Sequence, residues 1–467
     1  MLFSSISFLY YFLPTVLGLY LIVPKKFKNF ILLLSSLFFY FYGEPIYSVL
    51  MILSITSGYI HGLWIDKLRG SRSAKLAMIS SIIVSIAMLV YFKYLDFIIE
   101  NFNNILSLNI SPVNLALPIG ISFYTFQILS YTIDVYRGNA MVQKNILDFA
   151  TYVSLFPQLI AGPIVRYTTV EAELSQRTHT IGKTAEGIQG FIIGLSKKIL
   201  LGNTLGELVK ILSNTNEKTV LLFWMSALAF TLQIYFDFSG YSDMAIGLGR
   251  IFGFRFLENF NYPYISKSIT EFWRRWHMTL GTWFRDYIYI PMGGNRVGQL
   301  RWIRNIIVVW FLTGFWHGAE WNFIIWGLYF AVLLVIEKYL LKDILDRLPS
   351  FISHIYVIFL IVISFVIFNA NGMGEVKENL MGMFGLLNIS LWNHESLYYL
   401  RSYGFVFAIA AIASTPFMKV IINKIMIYKI GKILIEILQP ITFILLLLII
   451  TAYLVDGSFN PFLYFRF

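Results

Sequence analysis

The chain has 467 residues, 58% of them hydrophobic, 18% aromatic and 13% charged, with a formal net charge of +11. So oily a composition overrides the two or three soluble domains that the length alone suggests. With no basic motif of known docking geometry, it also sets nucleic-acid binding aside. The absence of cysteine excludes disulfides, thiolate nucleophiles, thiolate metal sites and palmitoylated cysteines.

The N-terminus is apolar from Met1-Leu-Phe-Ser-Ser-Ile-Ser-Phe8, without a basic leader or small-residue cleavage site. It is expected to be a retained first membrane helix. Windows 30–42, 76–92, 221–236, 352–369 and 441–455 are nearly free of charge. A crossing needs ~20 mostly apolar residues, which gives roughly ten to thirteen membrane helices or half-helices. Lipid leaves open sheets unsatisfied, so the expected fold is an all-α polytopic membrane bundle, one domain over residues 1–467.

Short basic loops set the expected orientation. Pro24-Lys-Lys-Phe-Lys28 is placed in the cytoplasm and the N-terminus outside. Gly43-Glu-Pro45 is an outer turn, Asp66-Lys-Leu-Arg-Gly-Ser-Arg72 returns inside, 96–112 lies outside, and 134–144, with Arg137, lies inside. The segments 116–127 and 154–163 are apolar but interrupted by Pro and Gly. They are read as helix breaks or re-entrant pieces around a central chamber, with ordinary kinked helices as the alternative. Residues 166–183 form the longest polar stretch, expected to be a cytoplasmic loop. Residues 267–304 are too charged to span and fit helices lying along the inner surface.

Two histidines stand out: His277 in Glu271-Phe-Trp-Arg-Arg-Trp-His277, and His317 in Phe315-Trp-His-Gly318. An imidazole in so apolar a chain has to be solvated by a cavity, paired or used. Taken as one helix, 268–290 brings Glu271 one turn from Arg274 and Arg275, and places Arg274, His277, Gly281 and Arg285 on one face. Trp273, Trp276, Leu280 and Trp283 form a neighbouring stripe. Arginines on one face can grip phosphate through bidentate hydrogen bonds. An amphipathic interfacial helix whose arginines bind lipid headgroups is the competing reading. His317 ends the next apolar helix, and Gly314 and Gly318 are expected to leave space beside its ring. A structural hydrogen bond at a helix end competes with general-base chemistry there.

His61, His179, His354 and His394 lie near expected loops or helix ends. No His-x-x-His or His-x-x-x-His spacing supports a zinc site, so no metal is expected. Gly-x-Ser-x-Gly, phosphate-loop and dinucleotide fingerprints are absent.

A set of longer motifs runs in order along the chain: Pro118-Ile-Gly-Ile-Ser-Phe-Tyr-Thr-Phe-Gln127, Phe156-Pro-Gln-Leu-Ile-Ala-Gly-Pro163, Asp237-Phe-Ser-Gly-Tyr-Ser-Asp243, Phe260-Asn-Tyr-Pro-Tyr264, Ser268-Ile-Thr-Glu-Phe-Trp-Arg-Arg-Trp-His277, Trp283-Phe-Arg-Asp-Tyr-Ile-Tyr-Ile-Pro-Met-Gly-Gly-Asn295, Gly314-Phe-Trp-His-Gly-Ala-Glu-Trp-Asn322, and a closing segment from Phe459. Together they resemble the membrane-bound O-acyltransferase superfamily, in particular its bacterial branch typified by the membrane subunit of alginate O-acetyltransferase.

The resemblance implies a chamber linking the two membrane faces, with His317 as the signature catalytic histidine and His277 as the second. It implies acetyl-CoA as a cytoplasmic donor that is not tightly bound, an extracytoplasmic acetyltransferase partner, and an exported or cell-surface polysaccharide as acceptor. In that scheme His317 takes the proton of the incoming hydroxyl, and His277 orients it or polarises the thioester carbonyl. Arg274, Arg275 and Arg285 are candidates for the donor phosphates, and Trp276 and Asn322 are further substrate-binding candidates. Three alternatives stay open: a teichoic-acid D-alanylation acyltransferase fed by a carrier-protein thioester, a polytopic transporter, and a non-enzymatic scaffold of a surface acetylation complex.

Overall fold

The computed structural model describes residues 1–457, 460 and 463, so most of the closing motif from Phe459 lies outside the described residues. Among the described residues every regular element is helical and none is a strand. That is the solution lipid demands, because a helix satisfies its own backbone.

Among the described residues, seven helices are long and apolar enough to cross a membrane: Tyr47–Lys67, Arg72–Leu106, Val220–Ile251, Trp321–Arg347, Ser350–Asn369, His394–Ala413 and Lys429–Asp456. The expected ten to thirteen counted half-helices as well. Shorter helices such as Phe8–Ile22, Lys28–Gly43 and Ile121–Arg137 add to the seven. Lys429–Asp456 buries only 6% of its most apolar window, and Leu445, Leu448 and Ile449 are exposed. So much bare aliphatic surface needs an apolar solvent, which for a membrane protein is lipid.

The chain divides into two compact units, each assembled from separate stretches: residues 1–191 with 241–258, and residues 192–240 with 259–467. In the first, Ile121–Arg137 is buried on nearly every side and packs against Tyr47–Lys67 and Arg72–Leu89. The helix begins only at Ile121. Gly120 has φ 77°, and a Cβ there would sit 2.6 Å from the Leu159 carbonyl oxygen. Ile146–Ser154 also stops short; a single turn, Phe156–Leu159, and a buried irregular run through Val165 follow. Both Pro- and Gly-rich segments are therefore helix breaks, the second buried throughout and the first, over 116–120, buried only at Pro118.

The polar stretch 166–183 is more ordered than the expected loop. It holds a short helix, Tyr167–Ser175. Beyond that helix, Arg177 donates to Asn29 Oδ1, while Asn29 Nδ2 bonds Asp148 Oδ1 at 2.6 Å and the Leu174 carbonyl at 2.8 Å.

In the second unit Gln299–His317 and Trp321–Ile336 form a tight pair. Two glycines set their separation. A Cβ on Gly314 would lie 2.3 Å from the Phe323 carbonyl oxygen, and one on Gly327 would lie 2.2 Å from that of Trp310. The expectation that Gly314 and Gly318 leave room beside His317 is thus corrected. Helix backbone occupies the space at Gly314. At Gly318 the Phe323 ring occupies it, 2.2 Å from where a Cβ would sit. Ser350–Asn369 also packs against Trp321–Ile336 and contributes to an aromatic core that includes Trp276, Trp310, Trp326 and Phe365.

Candidate active site

The single helix expected over 268–290 is not formed. Ile269–Arg275 ends, His277 takes a left-handed conformation (φ 43°, ψ 51°), and Met278–Phe284 begins. The break is held from outside the segment, which is why periodicity did not reveal it. The Asn261 N–H donates to the Arg275 carbonyl at 2.9 Å, and the Asn259 carbonyl accepts from the Met278 N–H at 2.9 Å. At its start, Ile269–Arg275 is capped by Ser268, whose Oγ accepts from the Glu271 N–H at 3.0 Å. Glu337 reaches in from the neighbouring helix and accepts from the Ile269 N–H at 2.6 Å.

The break sets the imidazole of His277 inward, with 2% of the residue exposed. Its Nδ1 lies 3.0 Å from Asn259 Oδ1, which also accepts from Thr279 Oγ1 at 2.8 Å. The ring packs edge-on to Phe238 at 4.8 Å and lies 6.1 Å from Trp316. Its Nε2 is buried and has no hydrogen-bond partner among the described residues. Burial pushes the imidazole pKa down to about 3, so His277 is neutral at physiological pH.

His277 lines a cavity of about 910 Å³. Arg274, Gly281 and Arg285 line it too, so the residues expected to share a helical face do meet, around a cavity and across a break. Lys338 and Lys342, from the helical run Trp321–Arg347, complete a cationic rim. All four cations are exposed whereas His277 is buried, so the chamber runs from a charged mouth to an imidazole in its wall. Lys338 Nζ rests over the Trp302 ring, 3.5 Å from its centroid. Arg285 is engaged by Asp286 at 2.7 Å, and the hydrogen bond raises its pKa further.

The remaining expected site residues lie elsewhere. Arg275, not Arg274, pairs with Glu271, at 2.9 Å, and it also donates to the Asn261 carbonyl. Trp276 is buried among Phe260, Phe272 and Phe365. Asn322 is fully buried, and its Nδ2 donates to the Ala370 carbonyl at 2.9 Å, beyond the end of Ser350–Asn369. His317 sits in an aromatic box, its ring 4.8 Å from Trp316, 5.0 Å from Trp326 and 5.2 Å from Phe368. The rings of both histidines neighbour that of Trp316, His277 at 6.1 Å and His317 at 4.8 Å.

Sequence reasoning passed over Asn259, which lies one residue before the quoted Phe260-Asn-Tyr-Pro-Tyr264 motif. Lys338 and Lys342 stand in a basic stretch after a helix and carry no motif of their own. Their common clue is position, since each adjoins a segment already singled out. Nothing local marked Lys198, which forms a buried ion pair with Asp237.

The stretch that builds this site is also one the chain shares with known proteins. The model of the MBOAT, membrane-bound O-acyltransferase family, matches residues 113–373, which contain both histidines and the whole cavity wall. The chain belongs to this family. A probable alginate O-acetylase of Azotobacter vinelandii is 42% identical over 82% of this acyltransferase and 78% of its own length. One from Pseudomonas putida is 38% identical over the full length of both chains. The peptidoglycan O-acetyltransferase of Helicobacter pylori is 34% identical over 84% of this chain and 81% of its own. The teichoic acid D-alanyltransferase of Bacillus subtilis is 31% identical, over 50% of this chain and 61% of its own. This protein is a membrane-bound O-acyltransferase.

Proposed function

We propose that this acyltransferase moves acetyl groups from cytoplasmic acetyl-CoA toward hydroxyls of an exported or cell-surface polysaccharide, with an extracytoplasmic partner completing the transfer. The observation that carries the reading is the cavity, whose lining includes His277, with its buried Nε2 unpartnered among the described residues, together with Arg274, Lys338 and Lys342. Exposed cations at a chamber mouth suit the phosphates of a coenzyme. A neutral imidazole in the wall suits acid–base work on a thioester.

The acetyl choice draws on the relatives: the alginate and peptidoglycan enzymes named as acetylating match far more of this chain than the D-alanyltransferase does. The hydroxyl that attacks the thioester has to lose a proton, and the histidine pair takes it. The chain has no thiol, so direct transfer is the simpler scheme. Short basic loops favour an extracytoplasmic N-terminus. A cysteine placed at Lys25 would then resist an impermeant maleimide in intact cells, and its labelling would reverse the orientation.

The test is purified protein in proteoliposomes, supplied with labelled acetyl-CoA or with a D-alanyl carrier-protein thioester. Turnover of acetyl-CoA supports the reading. Turnover of the carrier thioester alone replaces it with D-alanylation, and turnover of neither favours a transporter or a scaffold.

A further inference from the structure

In the first compact unit three basic side chains converge on one aromatic ring. Tyr20 stands near the end of the helix Leu13–Ile22 and is 1% exposed. Lys28 Nζ lies 4.4 Å from its ring centroid, the Arg177 guanidinium carbon lies 5.8 Å from it, and the His179 ring stands edge-on at 5.6 Å. The Phe252 carbonyl, which only accepts, takes the hydrogen bond of the Tyr20 hydroxyl at 2.8 Å, so His179 Nε2 donates to the hydroxyl oxygen at 3.2 Å. The parts come from three separated stretches, and the two basic segments expected on one face of the membrane, 24–28 and 166–183, meet here. Lys28 and Arg177 are half-buried and His179 is exposed, so the cluster is open to the outside.

Positive charge exceeds negative charge around this ring. Partial burial, and then the nearby Lys28, Arg177, Lys183 and Lys25, push the His179 imidazole below its usual range. Against those four cations stand the two carboxylates that act on Arg177, Asp148 and Glu173. Both carboxylates already accept from neutral donors. Asp148 takes the Asn29 amide at 2.6 Å and the Asn145 amide at 3.0 Å, and Glu173 takes the Arg255 N–H at 3.1 Å. Arg177 is tied to the amide oxygen of Asn29, and its Nη1 is buried without a hydrogen-bond partner among the described residues. Like charges gathered this closely repel, and an anion among them relieves the repulsion.

The surroundings indicate which anion. Leu21 and Ile22, next along the chain from Tyr20, are exposed, and so are Phe27 and Phe30 on either side of Lys28. Exposed apolar side chains interleaved with Lys25, Lys26 and Lys28 mark the depth at which acyl chains give way to headgroups. A soluble phosphate gains nothing from that apolar flank, whereas a lipid lays its own chains against it.

We propose that Lys28, backed by the charge of Arg177, Lys25 and Lys183, holds the phosphate of an anionic membrane lipid, with Tyr20 as the platform that gathers the site. This is a binding role separate from acyl transfer.

The test is lipid binding by the full chain purified in detergent, read by native mass spectrometry with phosphatidylglycerol, and with phosphatidylcholine as the uncharged comparison. Wild type should bind phosphatidylglycerol the more tightly. Lys28→Gln should weaken that binding by about fivefold, and Lys25→Gln/Lys28→Gln by about twentyfold. Arg177→Gln, from a distant stretch of chain, should weaken it about as much as Lys28→Gln, which a merely basic loop does not predict. Lys28→Arg keeps the charge and should bind as wild type does. So should Lys419→Gln/Lys424→Gln on the exposed helix Phe417–Met426, where lysines stand without such a cluster.

Undiminished binding by Lys25→Gln/Lys28→Gln overturns the proposal, as does equal weakening in the Lys419 and Lys424 variant. Phosphatidylcholine bound as tightly as phosphatidylglycerol overturns it too. Inorganic phosphate that displaces the lipid at matched concentration overturns the lipid assignment in favour of a soluble anion. Arg177 also anchors Asn29, so melting temperatures are taken without lipid. If Arg177→Gln unfolds, the lysine variants decide, because the Lys28 ammonium makes no hydrogen bond within the described residues.

Discussion

Lys198 Nζ and Asp237 Oδ1 lie 2.5 Å apart in the second unit, with side chains only 2% and 4% exposed. Lys198 also donates to Asn203 Oδ1 at 2.9 Å, and Asp237 Oδ2 accepts from the Leu463 N–H at 2.9 Å. Removing one partner strands the other charge in a low-dielectric interior, at a typical cost of about 3–5 kcal/mol. Asp237→Ala is therefore expected to lower the melting temperature of the detergent-solubilised protein sharply. The double variant Lys198→Met/Asp237→Leu should recover much of the loss, though not the bond to Leu463. A double variant as unstable as Asp237→Ala would show that the charges themselves are not the source.

His317→Ala should abolish surface O-acetylation while membrane levels stay near normal. The residue is enclosed by Trp316, Trp326 and Phe368, so truncation leaves a hole in an otherwise intact aromatic box. Acetate released by mild base from cells expressing the variant is the measurement. Wild-type release would remove His317 from the chemistry.

Arg274 and Arg275 should separate. Arg274 lines the cavity mouth, whereas Arg275 is bound to Glu271 and the Asn261 carbonyl. Arg274→Ala should raise the acetyl-CoA KM about tenfold, the lower end for a charge-assisted hydrogen bond at an exposed site. Arg275→Ala should leave KM nearly unchanged and lower thermal stability instead. Identical donor affinity in wild type and Arg274→Ala would return Arg274 to binding lipid headgroups.

Gly327→Ala should displace the helix that ends in His317. Its new methyl would meet the Trp310 carbonyl oxygen at 2.2 Å, a contact with backbone that no rotamer can relieve. Overpacking of this kind costs typically about 1–3 kcal/mol. Activity should fall by more than stability alone explains, because Trp310 and His317 share a helix. Turnover per folded molecule, measured alongside the melting curve, tests this.

The membrane-crossing helices could be read from composition because lipid imposes one rule on every spanning segment, and apolar windows such as 352–369 obey it locally. The two histidines were visible for a similar reason, as polar groups in an apolar setting. The break at His277 was not, because it is specified by Asn259 and Asn261 from an earlier segment. Arg274 and Arg275 both stand one turn from Glu271 within Ile269–Arg275; the pair forms with Arg275, which the Asn261 carbonyl also holds, and Arg274 is left at the cavity. Trp276 and Asn322 illustrate a different limit. A residue within a family motif can serve the frame of the site, as these do in an aromatic core and at a helix end. Lys198 and Asp237 had to find each other across the fold, and no periodicity records such a pairing.

The left-handed backbone at His277 makes one residue serve both as the joint between two helices and as the imidazole in the cavity wall. Most side chains resist that conformation, and glycine adopts it freely. Glycine at 277 is thus the substitution that removes the ring while sparing the bend, leaving a recess the shape of an imidazole in the cavity wall. Small diffusible bases of that shape could dock there and stand in for the missing group, so the chemistry and the architecture of this position can be separated without altering any other residue.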